Sequence, residues 1–240
     1  MLDSISLSKI LFLDIETVPE FQSYNDLNER IKKLWDSKSK KIQKAEYPGE
    51  NEKTPDEIYE RAGIYAEFGK IICISTGFIH EGKFRIKSFY GKDERKLLID
   101  FSEMLNNHFN TSLHFLCAHN GKEFDYPYIS RRILINGLKL PNLLNIAGKK
   151  PWEIMHLDTM DLWKFGDYKS YTSLDLLTAI FNIPTPKNDI DGSQVRKVFY
   201  EDDDLERIVK YCQQDTLAVA QIFLKYRGEA TISEENIVVV

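Results

Sequence analysis

Ile10-Leu11-Phe12-Leu13-Asp14-Ile15-Glu16 is a short apolar run broken near its end by two acids. Its length and composition are those of a buried strand, and residues i and i+2 of a strand project from the same face. Asp14 and Glu16 therefore leave the strand end together. Alone, the pair describes the polar rim of a sheet as well as it describes a site, because so short an acidic pattern recurs by chance. The rest of the chain decides its meaning.

Beyond it, from Phe21 to about Lys44, Ile31, Leu34, Trp35 and Ile42 recur at helical spacing among six lysines. Tyr47-Pro48-Gly49 breaks the pattern, and Thr54-Pro55-Asp56-Glu57 predicts a second helix with Thr54 as N-cap, Pro55 at N1 and Glu57 at N3. Lys70–Ile79 reads as a strand, Glu81-Gly82-Lys83 as a turn, and Phe84–Tyr90 as the hairpin partner. An amphipathic helix over Lys92–Phe109, a buried strand over Leu113–Ala118 and a helix from about Tyr126 to Asn136, closed by Gly137, follow. A weaker strand near Met155–Leu157 and helices over Thr172–Phe181 and Leu205–Tyr226 complete the pattern, with a loose tail expected after Gly228. The order predicts an α/β architecture, a mixed β-sheet flanked by α-helices. We read one domain over residues 1–228, with a basic helical insertion at about 21–66 and a flexible tail at 229–240.

The chain has 240 residues, 42% of them hydrophobic and 29% charged, enough for a sizeable core and too apolar for wholesale disorder. A net charge of −5 weighs against a nucleic-acid binder taken by itself. Clustered carboxylates that hold divalent cations account for such acidity equally well. Cys73, Cys117 and Cys212 lie far apart without metal spacing, which points to a reduced setting. No stretch approaches the roughly 20 apolar residues of a membrane span, and no basic leader precedes Asp3; the expected location is the cytoplasm.

Two further segments bear on Asp14 and Glu16. His119-Asn120-Gly121-Lys122-Glu123-Phe124-Asp125 follows the second buried strand. Helix capping would explain Asp125 but not its neighbours. Tyr211-Cys212-Gln213-Gln214-Asp215 lies inside the last long helix, where Tyr211 and Asp215, four residues apart, share a face. A half-buried tyrosine beside an aspartate is common, so this motif alone is weak.

Taken in order, D-x-E, H-N-x-x-x-F-D and Y-x-x-x-D resemble the tyrosine-bearing branch of the DEDD, or DnaQ-like, 3′–5′ exonuclease superfamily. The likeness is greatest to the proofreading domain of B-family DNA polymerases, here as a stand-alone chain. The resemblance runs from about Leu7 to Tyr226 and takes in Gly69–Ser75 and Leu157-Asp158-Thr159-Met160-Asp161-Leu162. Pro186–Val195 also looks familial, without a role that can be derived for it. The implied fold is ribonuclease-H-like. The implied function is metal-dependent hydrolysis of phosphodiester bonds from a 3′ end, with single-stranded DNA as the expected substrate.

The resemblance makes Asp14, Glu16, Asp125 and Asp215 ligands of two divalent ions, Mg²⁺ or Mn²⁺. Asp14 would bridge them, Glu16 and Asp215 would complete the tighter site, and Asp125 would hold the second ion. Tyr211 would orient the attacking water; the histidine of the other branch falls at the position of Lys210. Thr17, Asn120 and Phe124 would contact the 3′ terminus, and His119 reads as structural. Physical chemistry supports the assignment independently. Four adjacent carboxylates repel unless they take up protons or cations, and hard oxygen ligands suit Mg²⁺ or Mn²⁺.

Three alternatives stay open on sequence: an RNA exonuclease with the same site, a catalytically silent nucleic-acid-binding module, and a proofreading subunit acting with a polymerase partner. The lysine-rich insertion fits a solvated helix face, its ordinary reading, or a surface that follows a phosphate backbone.

Overall fold

The computed structural model describes residues 2–46, 53–167, 171–184 and 190–240. The break expected at Tyr47-Pro48-Gly49 and the first part of Pro186–Val195 lie outside the described residues. In chain order the elements are β1 (Ile10–Pro19), α1 (Glu29–Glu46), α2 (Pro55–Tyr59), β2 (Gly69–His80), β3 (Lys83–Tyr90), α3 (Glu94–His108) and β4 (Phe115–Ala118). Then come α4 (Asp125–Ile135), β5 (Leu157–Asp158), α5 (Thr159–Trp163), α6 (Leu174–Ile180), α7 (Val195–Tyr200), α8 (Leu205–Tyr226) and β6 (Ile237–Val239).

The six strands form one sheet in the order β5-β4-β1-β2-β3-β6. β1 runs antiparallel to β2 and parallel to β4, which makes the sheet mixed and places β1 near its middle. This is the α/β, ribonuclease-H-like arrangement expected. Covered faces explain the unbroken apolar start of β1. Leu11, Leu13 and Ile15 enter the core shared with α3 and α4, while Ile10 and Phe12 face Val219, Ala220 and Phe223 of α8. By alternation, Asp14 and Glu16 extend the second row, toward α8.

Local chemistry sets most boundaries. Thr54 and Glu57 form the expected capping box at the start of α2. Glu81 and Gly82 both adopt positive φ, the geometry of a two-residue hairpin turn whose twist matches its strands. The helix expected from Phe21 begins instead at Glu29. The Asn28 side chain accepts the Ile31 N–H, and a Ser23–Asp26 capping box closes a separate turn before it. Trp35 anchors α1, fully buried beside Tyr59 and Phe68 with its Nε1 donating to the Pro55 carbonyl at 2.7 Å.

The tail expected to be loose after Gly228 is not. Ile237–Val239 adds a parallel strand to β3, and the Gln221 side chain both donates to and accepts from the Ile232 backbone. Pairing at a distant edge holds it, which no local pattern announces. Among the described residues, no helix is long and apolar enough to cross a membrane.

One buried ion-pair network ties these layers together. Arg132 of α4 reaches Glu94 of α3 through Nε at 2.8 Å and Nη2 at 2.5 Å, and Glu20 beyond β1 at 2.8 Å. Glu94 also accepts the Ile71 N–H at 2.7 Å, so its remaining lone pairs are used.

Candidate active site

Three elements deliver the acids. β1 presents Asp14 and Glu16 opposite Ser75 and Cys73 of β2, and its register with β2 shifts between Glu16 and Thr17. Such irregularities twist a strand end and re-aim its side chains. α8 crosses this face with Tyr211 and Asp215 one turn apart. Cys212 between them is buried, its Sγ donating to the Asp14 carbonyl at 3.4 Å. The loop after β4 ends at Asp125, the first residue of α4, whose carboxylate accepts the Ile15 N–H.

Asp14 and Glu16 approach most closely: their carboxylates and the Cys212 sulfur all lie within 4.8 Å of one another. Asp125 and Asp215 stand outside that tight group but within electrostatic reach. Burial raises the pKa of Asp14 well above the carboxylate range, and the Asp215 and Asp125 charges raise it further. Glu16 is raised by burial, then by Asp14 and Asp215. Burial takes Asp125 up to about 8 against hydrogen bonds from backbone N–H groups, and Asp215 up to about 6 against a hydrogen bond from the Tyr211 hydroxyl. Tyr211 itself is pushed upward by burial and by Asp215, Glu16 and Asp14, so at neutral pH its hydroxyl keeps its proton and donates a hydrogen bond to Asp215. The fold thus holds four carboxylates where each opposes the ionisation of others.

Two of the three expected substrate contacts, Thr17 and Phe124, line a cleft beside Glu16. Glu16, Thr17, Phe124, Ile64, Ser193 and Lys197 are among the walls of a cleft of about 730 Å³. Phe124 is half-buried against Tyr128, ring centroids 5.3 Å apart. The Thr17 side chain hydrogen-bonds Tyr128, which in turn donates to the Gly63 carbonyl at 2.6 Å. Asn120 has positive φ, and its buried Oδ1 has no hydrogen-bond partner among the described residues. His119 is engaged on both nitrogens, at 2.9 Å from the Thr159 hydroxyl and 2.9 Å from the Thr172 carbonyl, a bracing position.

The chain as a whole has counterparts among known proteins. Residues 64–237 match the family described as predicted 3′-5′ exonuclease related to the exonuclease domain of PolB. The chain belongs to this exonuclease family. In fold it is similar to the family B DNA polymerase of the hyperthermophilic archaeon Pyrobaculum calidifontis, at a TM-score of 0.52 and 16% identity over 90% of this chain. It spans only about a quarter, 24%, of that polymerase. The membership makes the chain a 3′–5′ exonuclease and nucleic acid its substrate class.

Within the exonuclease site, two contributors escape a reading of the sequence alone. Asp158 accepts the backbone N–H groups of Asn120 and Lys122 on one side and of Met160 and Asp161 on the other. It fixes the loop that carries Asn120, Phe124 and Asp125. Its only signal was its place in Leu157–Leu162. The second is the cleft wall built by Gly192, Ser193 and Lys197. It gives the described end of Pro186–Val195 a location, although nothing in that stretch names its partners across the cleft.

Proposed function

We propose that this exonuclease removes mononucleotides from the 3′ end of single-stranded DNA with two divalent cations, Mg²⁺ or Mn²⁺, held by Asp14, Glu16, Asp125 and Asp215. The observation that carries the reading is the convergence of Asp14 and Glu16 of β1, Asp125 of α4 and Asp215 of α8 as largely buried acids within electrostatic reach of one another. A buried group of acids that disfavour one another's charge is balanced by cations, and its oxygen donors suit hard ions. When bound, such ions supply Lewis-acid charge for phosphodiester hydrolysis.

The chain's own residues then divide the work. Asp14 and Glu16 each feel both Asp125 and Asp215, which supports the four carboxylates as one group that would hold the cations. Tyr211, protonated and hydrogen-bonded to Asp215, orients the attacking water without taking its proton. Phe124 offers its ring face to the terminal base, Thr17 lies beside it on the cleft wall, and the buried, unpartnered Oδ1 of Asn120 is the acceptor a substrate hydroxyl would reach once the loop shifts.

The test is cleavage of a 5′-labelled single-stranded DNA oligomer in Mg²⁺, in Mn²⁺ and in EDTA, beside an RNA oligomer of equal sequence. A ladder shortening from the 3′ end on DNA, absent in EDTA, is expected. Faster shortening of RNA would overturn the sugar preference, and cleavage that persists in EDTA would overturn the metal assignment.

A further inference from the structure

The lysine-rich helix α1 lies outside the residues that match the exonuclease family, and the site described above does not use it. Its cations fall into two groups. Lys32 and Lys38 lie over the rings of Tyr24 and Tyr65, at 5.4 and 4.1 Å from the centroids, and belong to the packing of the helix. Arg30, Lys33, Lys40, Lys41 and Lys44 are exposed, and among the described residues none of them forms a salt bridge. At 3.6 residues per turn these five fall within an arc of about 100°, opposite the buried Trp35 and Ile42, along about 21 Å of helix.

The acids of the helix do not relieve this face. Asp36 is held by the Tyr24 hydroxyl at 2.7 Å, Glu46 is paired with Arg61, and Glu29 sits in the first turn. A face that served only to be solvated would gain from alternating signs. Like charges three and four residues apart, as in Arg30–Lys33, Lys40–Lys44 and Lys41–Lys44, destabilise a helix instead. The concentration of positive charge is the more marked in a chain whose net charge is −5.

The end of α1 adjoins the cleft, through Glu46 on the Trp35 and Ile42 side of the helix. Arg61, which pairs with Glu46 at the end of α1, lines the cleft with Gly63 and Ile64, beside Glu16 and Thr17. A strand that leaves the cleft past this wall rounds the end of α1 to reach the cations, the last of which is Lys44. The face, about 21 Å long, can meet several successive phosphates of one strand.

We propose that the exposed cationic face of α1 is a docking surface for the phosphodiester backbone of the single strand whose 3′ end occupies the cleft. The inference rests on the reading of nucleic acid as substrate. The surface adds affinity for long strands and no sequence preference, because phosphates carry no base identity.

The experiment is binding of fluorescently labelled 5-nucleotide and 30-nucleotide single-stranded DNA, in EDTA and at several salt concentrations. It compares the full wild-type chain with two folded variants of equal charge. One carries Lys33→Gln, Lys40→Gln, Lys41→Gln and Lys44→Gln; the control carries Lys83→Gln, Lys139→Gln, Lys149→Gln and Lys150→Gln. The stripe variant should bind the 30-mer at least about tenfold more weakly. The slope of log affinity against log salt should fall by up to about 2.8, or 0.7 per lost phosphate contact. Binding of the 5-mer should be unchanged, and the control should stay within about twofold of wild type. Equal losses in both variants, or a wild type that holds the 30-mer no tighter than the 5-mer, would overturn the docking surface. A wild type that binds the 30-mer through the stripe yet cleaves nothing in Mg²⁺ or Mn²⁺ would sink the exonuclease reading and leave the surface standing.

Discussion

Asp215→Asn should make the metal-free protein more stable at neutral pH, although it removes a residue proposed to hold the catalytic cations. Burial lifts the Asp215 pKa from 3.8 to about 6. Folding therefore disfavours its ionised form, with each pKa unit worth about 1.4 kcal/mol. Two units set a ceiling of about 3 kcal/mol, reduced toward about 1 kcal/mol because the carboxylate keeps part of its surface in water. The sign follows from linkage. Below the unfolded pKa both states hold the proton and the penalty vanishes; as pH rises through the folded value the ionised group costs its full amount. Wild type should lose stability between about pH 4 and pH 6 through this group, and the variant should lack that slope. The asparagine Oδ1 can still accept the Tyr211 hydroxyl, so the substitution removes charge with little change of shape. Thermal denaturation in EDTA should show a midpoint about 2–12 °C higher for the variant at pH 7.5 and no difference at pH 3.5. Added Mn²⁺ should then raise wild type more than the variant. A variant less stable than wild type at pH 7.5 would refute the reasoning, since the carboxylate would then be a net structural contact.

Three other substitutions separate chemistry from scaffolding. Tyr211→Phe should slow cleavage by about 10²-fold, the scale of a mispositioned reactant, with denaturation midpoint and Mn²⁺ affinity unchanged; wild-type rates would remove the hydroxyl from the mechanism. Gly121→Ala should lower stability by about 1–3 kcal/mol and activity with it, because the added methyl would meet Ala118 Cβ at 2.6 Å and the Tyr126 ring at 2.7 Å and displace the loop before Asp125. Calorimetry of that variant checks the first part and oligomer cleavage the second. Arg132→Ala should cost about 3–5 kcal/mol in urea denaturation by leaving Glu94 buried and unpaired; a loss below 1 kcal/mol would show that water reaches Glu94.

Much of this was legible because the informative patterns are local. Period-two alternation placed Asp14 and Glu16 on one face of β1, and four-residue spacing placed Tyr211 and Asp215 on one face of α8. The Thr54–Glu57 box marked the start of α2 for the same reason. What escaped depends on contacts across the fold. β6 exists through pairing with β3 and the grip of Gln221 on Ile232, residues whose sequence neighbourhood reads as polar tail. Asp158 works by gathering N–H groups from a loop some forty residues earlier. The start of α1 lies after Asn28 and not at Phe21 because the Asn28 side chain caps the Ile31 N–H, a contact the helical spacing of Ile31, Leu34, Trp35 and Ile42 does not announce.

The most direct measurement of the central claim is cleavage of a 5′-labelled single-stranded DNA oligomer in Mn²⁺ by wild type and by Asp14→Ala, each first shown to be folded by circular dichroism. The account predicts a ladder shortening from the 3′ end for wild type and intact oligomer for the variant. Cleavage by Asp14→Ala at the wild-type rate would contradict it and place the chemistry away from the meeting point of β1, α4 and α8.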